Sequence, residues 1–381
     1  MKIAIVHSFY RSINPSGENT AILNQVNALV KAGHEVKLIS TNSDSYEKKS
    51  LNPILAGFTT ASGVGKSPIR DLIDFAPDIV HTHNLFPNYG WRWLNNWEGP
   101  IVTTLHNYRP LCANGTFSRN GKTCTLCLEI NSGQAIINAC YRESKIYSVP
   151  LAIQNYKPAT RSVQLKRPDK LIVLSERSRN YYSKIVDAER LHIVPNFIPP
   201  ALVKSRESRQ DFWLYIGRLS SEKGVKELIN NWNHDAPLWI AGNGPLEESL
   251  KNEEHKNVRF LGSLKSIEID NLLSRARGLV IPSLWSEGIP TVYLEALAHA
   301  TPVLALAGNS AADDILKSHT GAVLQEANWR KGIEDIENNW NAFSKRSYER
   351  YLECFTEATW LGNIDEIYAR LKHEWDFISK K

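Results

Sequence analysis

Short, unbroken apolar runs that each end in a polar or glycine-bearing loop limit what this chain of 381 residues can fold into. Lys2-Ile3-Ala4-Ile5-Val6 is the first. A turn-rich loop follows it. Ile22, Val26, Leu29 and Val30 then recur at helical spacing between Ala21 and Ala32, Gly33 stops them, and Glu35–Ser40 is the next run. A continuous apolar run reads as a strand buried on both faces, and strand–helix–strand implies parallel pairing with a right-handed crossover. The unit recurs around Asp78–His83, Ile101–Asn107, Leu171–Glu176 and His192–Phe197. It restarts at Phe212–Ile216 and continues through Leu238–Ala241, Val258–Gly262, Gly278–Ile281 and Pro302–Leu306. The chain is too long for one ordinary core. An α/β protein of two parallel-sheet domains is therefore expected. Residues 1–198 form the first and 205–354 the second, and the linker lies in 198–211, where Pro199-Pro200 stands among mixed charges. A helical tail is expected over about 343–376, with Trp360, Ile364, Ile367, Tyr368 and Leu371 along one face.

Sheets of this kind bind ligands beyond the carboxyl ends of their strands, so the loops there are the candidate sites. After Gly278–Ile281 comes Ser283–Ala298, read as loop, Pro290 at a helix start, then helix, with Glu287 on the loop and Glu295 inside the helix. An anion at that helix start would meet free N–H groups and the positive end of the dipole. The two carboxylates could hold hydroxyls attached to the anion, the layout of a sugar nucleotide. Spacing alone reads as two solvated carboxylates; the strand–loop–Pro–helix frame around them is what marks the pair. After Phe212–Ile216, Gly217-Arg218…Lys223-Gly224 brackets a tight turn with a planar cation and a point cation, both suited to phosphate oxygens. Gly242-Asn243-Gly244-Pro245 is a further strand-end loop. In the first half, Pro15-Ser16-Gly17 either lets backbone approach a ligand or is only a turn. His83 and His106 tip two strands, with His106 the preferred functional histidine and a satisfied structural role the alternative for each.

Cys112, Cys124, Cys127 and Cys140, built around a Cys-x2-Cys knuckle, could close a structural zinc site; a disulfide or free packed thiols are the other readings. Residues 141–190 carry eleven basic and five acidic side chains, more net positive charge than the +5 of the whole chain. That region could meet an anionic membrane face or simply be solvated. No nucleic-acid motif accompanies it, so nucleic acid is not an expected partner. There is no Gly-x-Gly-x-x-Gly fingerprint with a ribose-clamping acid and no Gly-x4-Gly-Lys-Ser/Thr loop, which speaks against nicotinamide dehydrogenases and P-loop NTPases. Apolar runs are too short for a signal peptide or a membrane span, which predicts a cytoplasmic protein, at most at the inner membrane face, with reduced cysteines.

Gly217-Arg218-Leu219…Lys223-Gly224, Gly242–Pro245, Val258–Gly262 and Glu287…Glu295, in that order, resemble glycosyltransferase family 4. Pro15–Glu18, Val80–His83, Thr104–Asn107 and Val194–Asn196 match in the first half, and a cysteine-bearing loop after His-Asn is similar to one in some members. The resemblance implies the GT-B fold, two Rossmann-like doubly wound domains facing across a cleft, with the C-terminal helix of about 355–381 packing back on the first. It implies a retaining transferase moving a hexose-like sugar from a nucleotide-sugar donor to a saccharide or lipid-linked acceptor in bacterial surface polysaccharide synthesis, with no cofactor needed for the chemistry. Arg218 and Lys223 would hold the diphosphate, Glu295 the ribose, and Glu287 the sugar, beside the N–H groups of Gly288 and Ile289. His106 would face the sugar from the first domain, and Gly17, Gly217 and Gly244 would line the donor site. Two positions depart from the family pattern: Ala300 stands where a glycine is frequent, and the first loop has one glycine where many members have two. A nucleotide-sugar epimerase or phosphorylase on the same fold, or a non-catalytic sugar-nucleotide-binding protein, are the competing readings.

Overall fold

The computed structural model describes residues 1–9, 17–43, 52–156, 162–201, 209–232, 234–253 and 255–378. Pro15, Ser16, Lys157, Arg161 and residues 202–208 of the expected linker lie outside these residues. The chain divides into two units, the first Met1–Phe117, Cys124–Pro195 and Trp360–Lys381, the second Ser118–Thr123 and Asn196–Thr359. The first holds β1 (Lys2–Phe9), β2 (Glu35–Asn42), β3 (Ile79–Thr82) and β4 (Ile101–Leu105). After a short antiparallel hairpin, β5 (Ser118–Arg119) with β6 (Lys122–Thr123), come β7 (Lys170–Val173) and β8 (Leu191–Ile193). Its strands run β2-β1-β3-β4-β7-β8, all parallel. The second unit orders β9 (Trp213–Ile216), β10 (Leu238–Ala241), β11 (Val258–Gly262), β12 (Gly278–Ile281), β13 (Val303–Leu306) and β14 (Gly321–Leu324) as β11-β10-β9-β12-β13-β14, again parallel.

Both sheets reverse direction of winding at one place, between β1 and β3 in the first and between β9 and β12 in the second. A ligand crevice opens at such a switch point. The strands there are buried as the unbroken apolar runs require: Ile3, Ala4, Ile5 and Val6, like Trp213, Leu214, Leu279 and Val280, are at most 1% exposed. Trp213 fits beside β12 because position 278 has no side chain; a Cβ on Gly278 would lie 2.4 Å from its ring.

The tail is helical over the expected span, in two helices, Trp340–Cys354 and Glu357–Ile378. The break has a local cause. Thr356 Oγ1 accepts a hydrogen bond from the Thr359 N–H at 3.2 Å, the geometry of an N-cap that starts a new helix. The apolar face is where the spacing put it, with Trp360, Ile364, Ile367, Tyr368 and Leu371 all buried. Each such side chain contributes roughly 1.5–3 kcal/mol on burial. Polar ties hold the same helix within the first unit: Lys372 to Asp78 at 2.9 Å and Tyr368 Oη to His81 Nδ1 at 2.6 Å. β14 and the helix Trp329–Asn338 are further elements beyond those read from the sequence.

Candidate functional site

In the second unit, the β9 and β12 loops press together at the switch point. Gly224 sits at φ +70°, and a Cβ there would lie 2.1 Å from the Pro282 carbonyl oxygen, so glycine is required for the approach. The Leu284 N–H donates to the Glu222 carbonyl at 3.0 Å across the same contact. This brings Lys223 onto Glu287: Nζ to Oε1 is 2.7 Å, with the side chains 24% and 11% exposed. The same oxygen accepts from Ser283 Oγ at 2.9 Å and from Trp285 Nε1 at 2.7 Å. Three donors, one of them charged, fix the carboxylate, each worth on the order of 1.5–3 kcal/mol in a partly buried setting. Lys223 Nζ also stands 5.0 Å from the centre of the Trp285 ring. Ser310 donates to the Glu287 backbone carbonyl, so the loop is held from the next helix as well.

Arg218 is exposed and makes no ion pair with a described residue. Pro290 is the N-cap of the helix Thr291–Ala298, with no side-chain cap. The N–H groups of Gly288, Ile289, Thr291 and Val292 have no acceptor among the described residues. An uncapped helix start beside cations is what a diphosphate would occupy. Gly217 and Gly244 are packing glycines: the Gly217 N–H donates to Ala241, and a Cβ on Gly244 would lie 2.4 Å from the Leu219 carbonyl oxygen. Glu295 lies one turn into the helix. Its carboxyl is raised to about 7, by burial first and by Asp270 second. Ala300 adopts φ +54°, the left-handed conformation that glycine takes without strain.

In the first unit, the switch point gathers four histidines. His83 Nδ1 and His106 Nε2 are 2.9 Å apart, their rings stacked at 5.2 Å, so one imidazole donates to the other. His81 stacks on His83 at 4.3 Å and binds Thr104 Oγ1 at 2.7 Å. His7 binds Asn19 Oδ1 at 3.2 Å. Burial holds His7 down to about 4 and His81 and His106 down to about 3. His83 lies well below the ordinary imidazole value, by burial first and by its imidazole neighbours second. All four are neutral at pH 7. A concavity at the ends of β3 and β4 is lined by Thr82, His83, Asn84, His106, Asn107 and Arg109. Gly17 opens the helix Gly17–Lys31, followed by Glu18. The Glu18 carboxyl is raised to about 7 by burial, against the pull of Arg109, and one of its oxygens has no partner among the described residues.

His7, Glu18, Arg109 and Trp285 are the side chains that sequence reasoning passed over as site residues. His7 had a usable signal, because it ends an apolar run as His83 and His106 do. Arg109 and Trp285 had none beyond proximity to a motif. The five cysteines are free thiols. Burial pushes Cys127 up to about 12, and Cys112, Cys140 and Cys124 are close enough to raise it further. Among the described residues no group of three or more His, Cys, Asp or Glu is placed to hold a metal ion. In the basic 141–190 run, Arg167 donates to the carbonyls of Trp97 and Gly99, Arg190 to that of Leu165, and Lys170 pairs with Glu374. Among the described residues no helix is long and apolar enough to cross a membrane.

Two family models match. "Glycosyltransferase Family 4" covers residues 15–202 and "Glycosyl transferases group 1" covers 203–350. The chain is 24% identical over 347 residues, 80% of each chain, to the glycosyltransferase TuaC of Bacillus subtilis, named for teichuronic acid biosynthesis. It is 27% identical over 188 residues to an α-1,4-N-acetyl-D-galactosaminyltransferase of Campylobacter jejuni, covering 45% of this chain and 52% of that one; the name of that enzyme includes a PP-undecaprenol-linked saccharide. Among solved structures, sucrose-phosphate synthase of Thermosynechococcus elongatus aligns with a TM-score of 0.70 at 18% identity, covering 97% of this chain and 98% of that one. HepE of Anabaena, in complex with UDP-glucose, aligns at 0.60 with 14% identity, covering 97% and 100%.

Proposed function

We propose, from the premise that this chain belongs to glycosyltransferase family 4 and is a glycosyltransferase, that it moves a sugar from a nucleotide-sugar donor to a saccharide or lipid-linked acceptor, with retention of anomeric configuration. The observation that carries this reading is the second unit's switch point, where Lys223 is held against Glu287 beside an exposed Arg218 and unclaimed N–H groups. Fixed cations there would neutralise charge as the diphosphate departs, each preorganised group worth about 3–4 kcal/mol. The acceptor oxygen bonds to the anomeric carbon on the face from which the C–O bond to phosphate breaks. The acceptor proton passes to a departing phosphate oxygen, and a nucleoside diphosphate is released. A metal is not needed for a charge that Arg218 and Lys223 already meet. Glu287 orients the sugar, Glu295 accepts from the ribose hydroxyls, Gly17, Gly217, Gly244, Gly288 and Ile289 bound the donor site, and His106 serves acceptor-side chemistry. UDP and UDP-glucose occupy related folds, and a lipid-linked saccharide appears in the name of the C. jejuni relative; both support the donor and acceptor classes. A role in bacterial surface polysaccharide synthesis rests on the names of such relatives. The zinc reading of the four cysteines rests on their sequence spacing alone, and its role would be to brace their loop.

A thermal-shift screen of nucleotide sugars comes first, since a bound donor stabilises the folded form. Transfer is then assayed with the stabilising donor and saccharide or polyprenyl-diphosphate-linked acceptors, and the product anomer is read by NMR. A product that keeps the donor's configuration supports the proposal. An inverted product removes the retaining mechanism. A new sugar isomer from donor alone would replace transfer with epimerisation, and binding without any turnover would leave a sugar-nucleotide-binding protein.

A further inference from the structure

The concavity at the ends of β3 and β4 is lined by Arg109 together with His83, His106, Asn107 and Gln164, and by no carboxylate. Its volume, about 490 Å³, lies within the range of small-molecule sites. The Arg109 guanidinium lies over the Phe86 ring, 4.3 Å from its centre, and stands 5.7 Å from the centre of the Tyr141 ring. Those two rings meet edge to face at 6.1 Å. A planar cation held against aromatic rings gives up rotamer freedom before a ligand arrives. The loop does not need that cation to keep its shape. The Arg109 N–H donates to Asn107 Oδ1 at 2.9 Å, and its carbonyl accepts from Asn155 Nδ2 at 2.8 Å. The guanidinium itself gives one hydrogen bond among the described residues, from Nη1 to the Ala113 carbonyl at 3.3 Å. Nε is buried without an acceptor, and no described acid forms an ion pair with Arg109. Glu18 is close enough to feel the cation, yet burial still raises its carboxyl to about 7, which makes it a weak counter-ion.

We propose that Arg109 determines acceptor specificity: it selects a saccharide that carries an anionic group, a carboxylate or a phosphate, on the sugar entering this concavity. The inference rests on the transferase reading, with the acceptor at His106, and narrows its acceptor class. Nη2, which donates to no described residue, meets the anion in a charge-assisted hydrogen bond. Neutral His83 and His106 exchange hydrogen bonds with the surrounding hydroxyls and leave the charge to Arg109. A wholly neutral acceptor would leave the cation unmatched in a partly buried, carboxylate-free site, which costs binding energy.

The test reads binding to the full-length protein without donor, so its failure leaves the transferase reading untouched. Neutral disaccharides, the same disaccharides ending in a uronate, and their 1-phosphates are titrated calorimetrically. One acidic series is expected to bind about tenfold tighter than the neutral one, the worth of one charge-assisted hydrogen bond. Which series that is separates the carboxylate source from the phosphate source. Arg109→Gln removes the preference. Arg109→Lys keeps part of it, because it restores the charge without the planar fork. A circular dichroism melt of each variant confirms folding. Neutral and acidic series bound alike by the parent, acidic series left unbound, or a preference that survives Arg109→Gln would each overturn the proposal.

Discussion

The two sheets have the same winding and the same kind of switch point, yet they place opposite chemistry there. The first unit gathers four neutral imidazoles, three buried and His106 half-buried, with His83 and His106 hydrogen-bonded to each other. The second keeps a charged pair, Lys223 with Glu287, beside an exposed arginine and an uncapped helix start. The common topology says where a ligand can sit; the side chains say what each crevice can do. The neutral imidazoles of the first crevice can exchange hydrogen bonds with sugar hydroxyls, with Arg109 lining the same concavity. A crevice of fixed cations is suited to a diphosphate.

The largest effect that would break this contrast is on turnover. Arg218→Ala and Lys223→Ala should each lower it at least about a hundredfold, the loss of one preorganised charge-stabilising group. The Arg218 variant should melt as the parent does, because its side chain is exposed and holds no ion pair with a described residue. Lys223→Ala leaves Glu287 with Ser283 and Trp285 as donors, so the fold should survive it too. Steady-state transfer assays decide the matter. Near-normal turnover in both variants would remove the phosphate role from the second switch point.

Much of the second crevice was legible in the sequence, and less of the first. Gly217–Gly224 and Ser283–Ala298 are contiguous motifs in which the charged residues lie within a few positions of required glycines, so the loop and its chemistry are read together. The first crevice is assembled across β1, β3, β4 and the start of Gly17–Lys31. Its partners are far apart in sequence, and nothing in Asp78–His83 announces that His83 will bond to His106. The strands themselves were plain: β10 and β12 coincide with apolar runs. β14 was missed because Gly321-Ala322-Val323-Leu324 has only small and short apolar side chains, with no strong turn signal.

Acid should separate the two units next. The histidines are neutral when folded, while in an unfolded chain they take protons below about 6.5. Their contribution is complete above that value and is lost as pH falls toward the folded values of about 3–4. At pH 5 this amounts to roughly 2 kcal/mol for a histidine with folded value near 3. The half-buried Glu18 and Glu295 act in the reverse direction: with their carboxyls raised to about 7, they favour the fold below about 4.5 and lose that contribution as pH rises through 7. Hydrogen exchange followed from pH 7 to pH 5 should show β1, β3 and β4 losing protection before β9, β10 and β12. Simultaneous loss in both sheets would contradict the contrast.

A smaller effect belongs to Glu295. A carboxyl near 7 is mostly protonated at pH 6 and mostly ionised at pH 8. If it accepts from ribose hydroxyls, the ionised form binds the donor better, so affinity should rise across that range, by roughly tenfold at most. Isothermal titration of the donor at both pH values measures this. Glu295→Gln, a neutral acceptor at every pH, should flatten the profile. A profile unchanged by that substitution would assign the pH dependence to another group.

The smallest effect concerns Ala300, which follows the helix Thr291–Ala298 and donates its N–H to the Leu297 carbonyl at 3.0 Å. Its φ of +54° costs a residue with a Cβ roughly 1–2 kcal/mol, a strain glycine avoids. Glycine in turn has more freedom to lose on folding, about 0.5–1 kcal/mol relative to alanine. The difference leaves Ala300→Gly stabilising by up to about 1 kcal/mol, in a region where Ser344 Oγ already fixes the Ala300 carbonyl at 2.7 Å. A calorimetric melt should show a rise of about 2–4 °C, confined to the second unit, with transfer activity unchanged. A lower melting temperature would mean that the alanine methyl packs well enough to outweigh the strain. A change in donor affinity would mean that the end of the Glu295-bearing helix is tuned by this strained residue, and the second crevice would then depend on its backbone as well as on its charges.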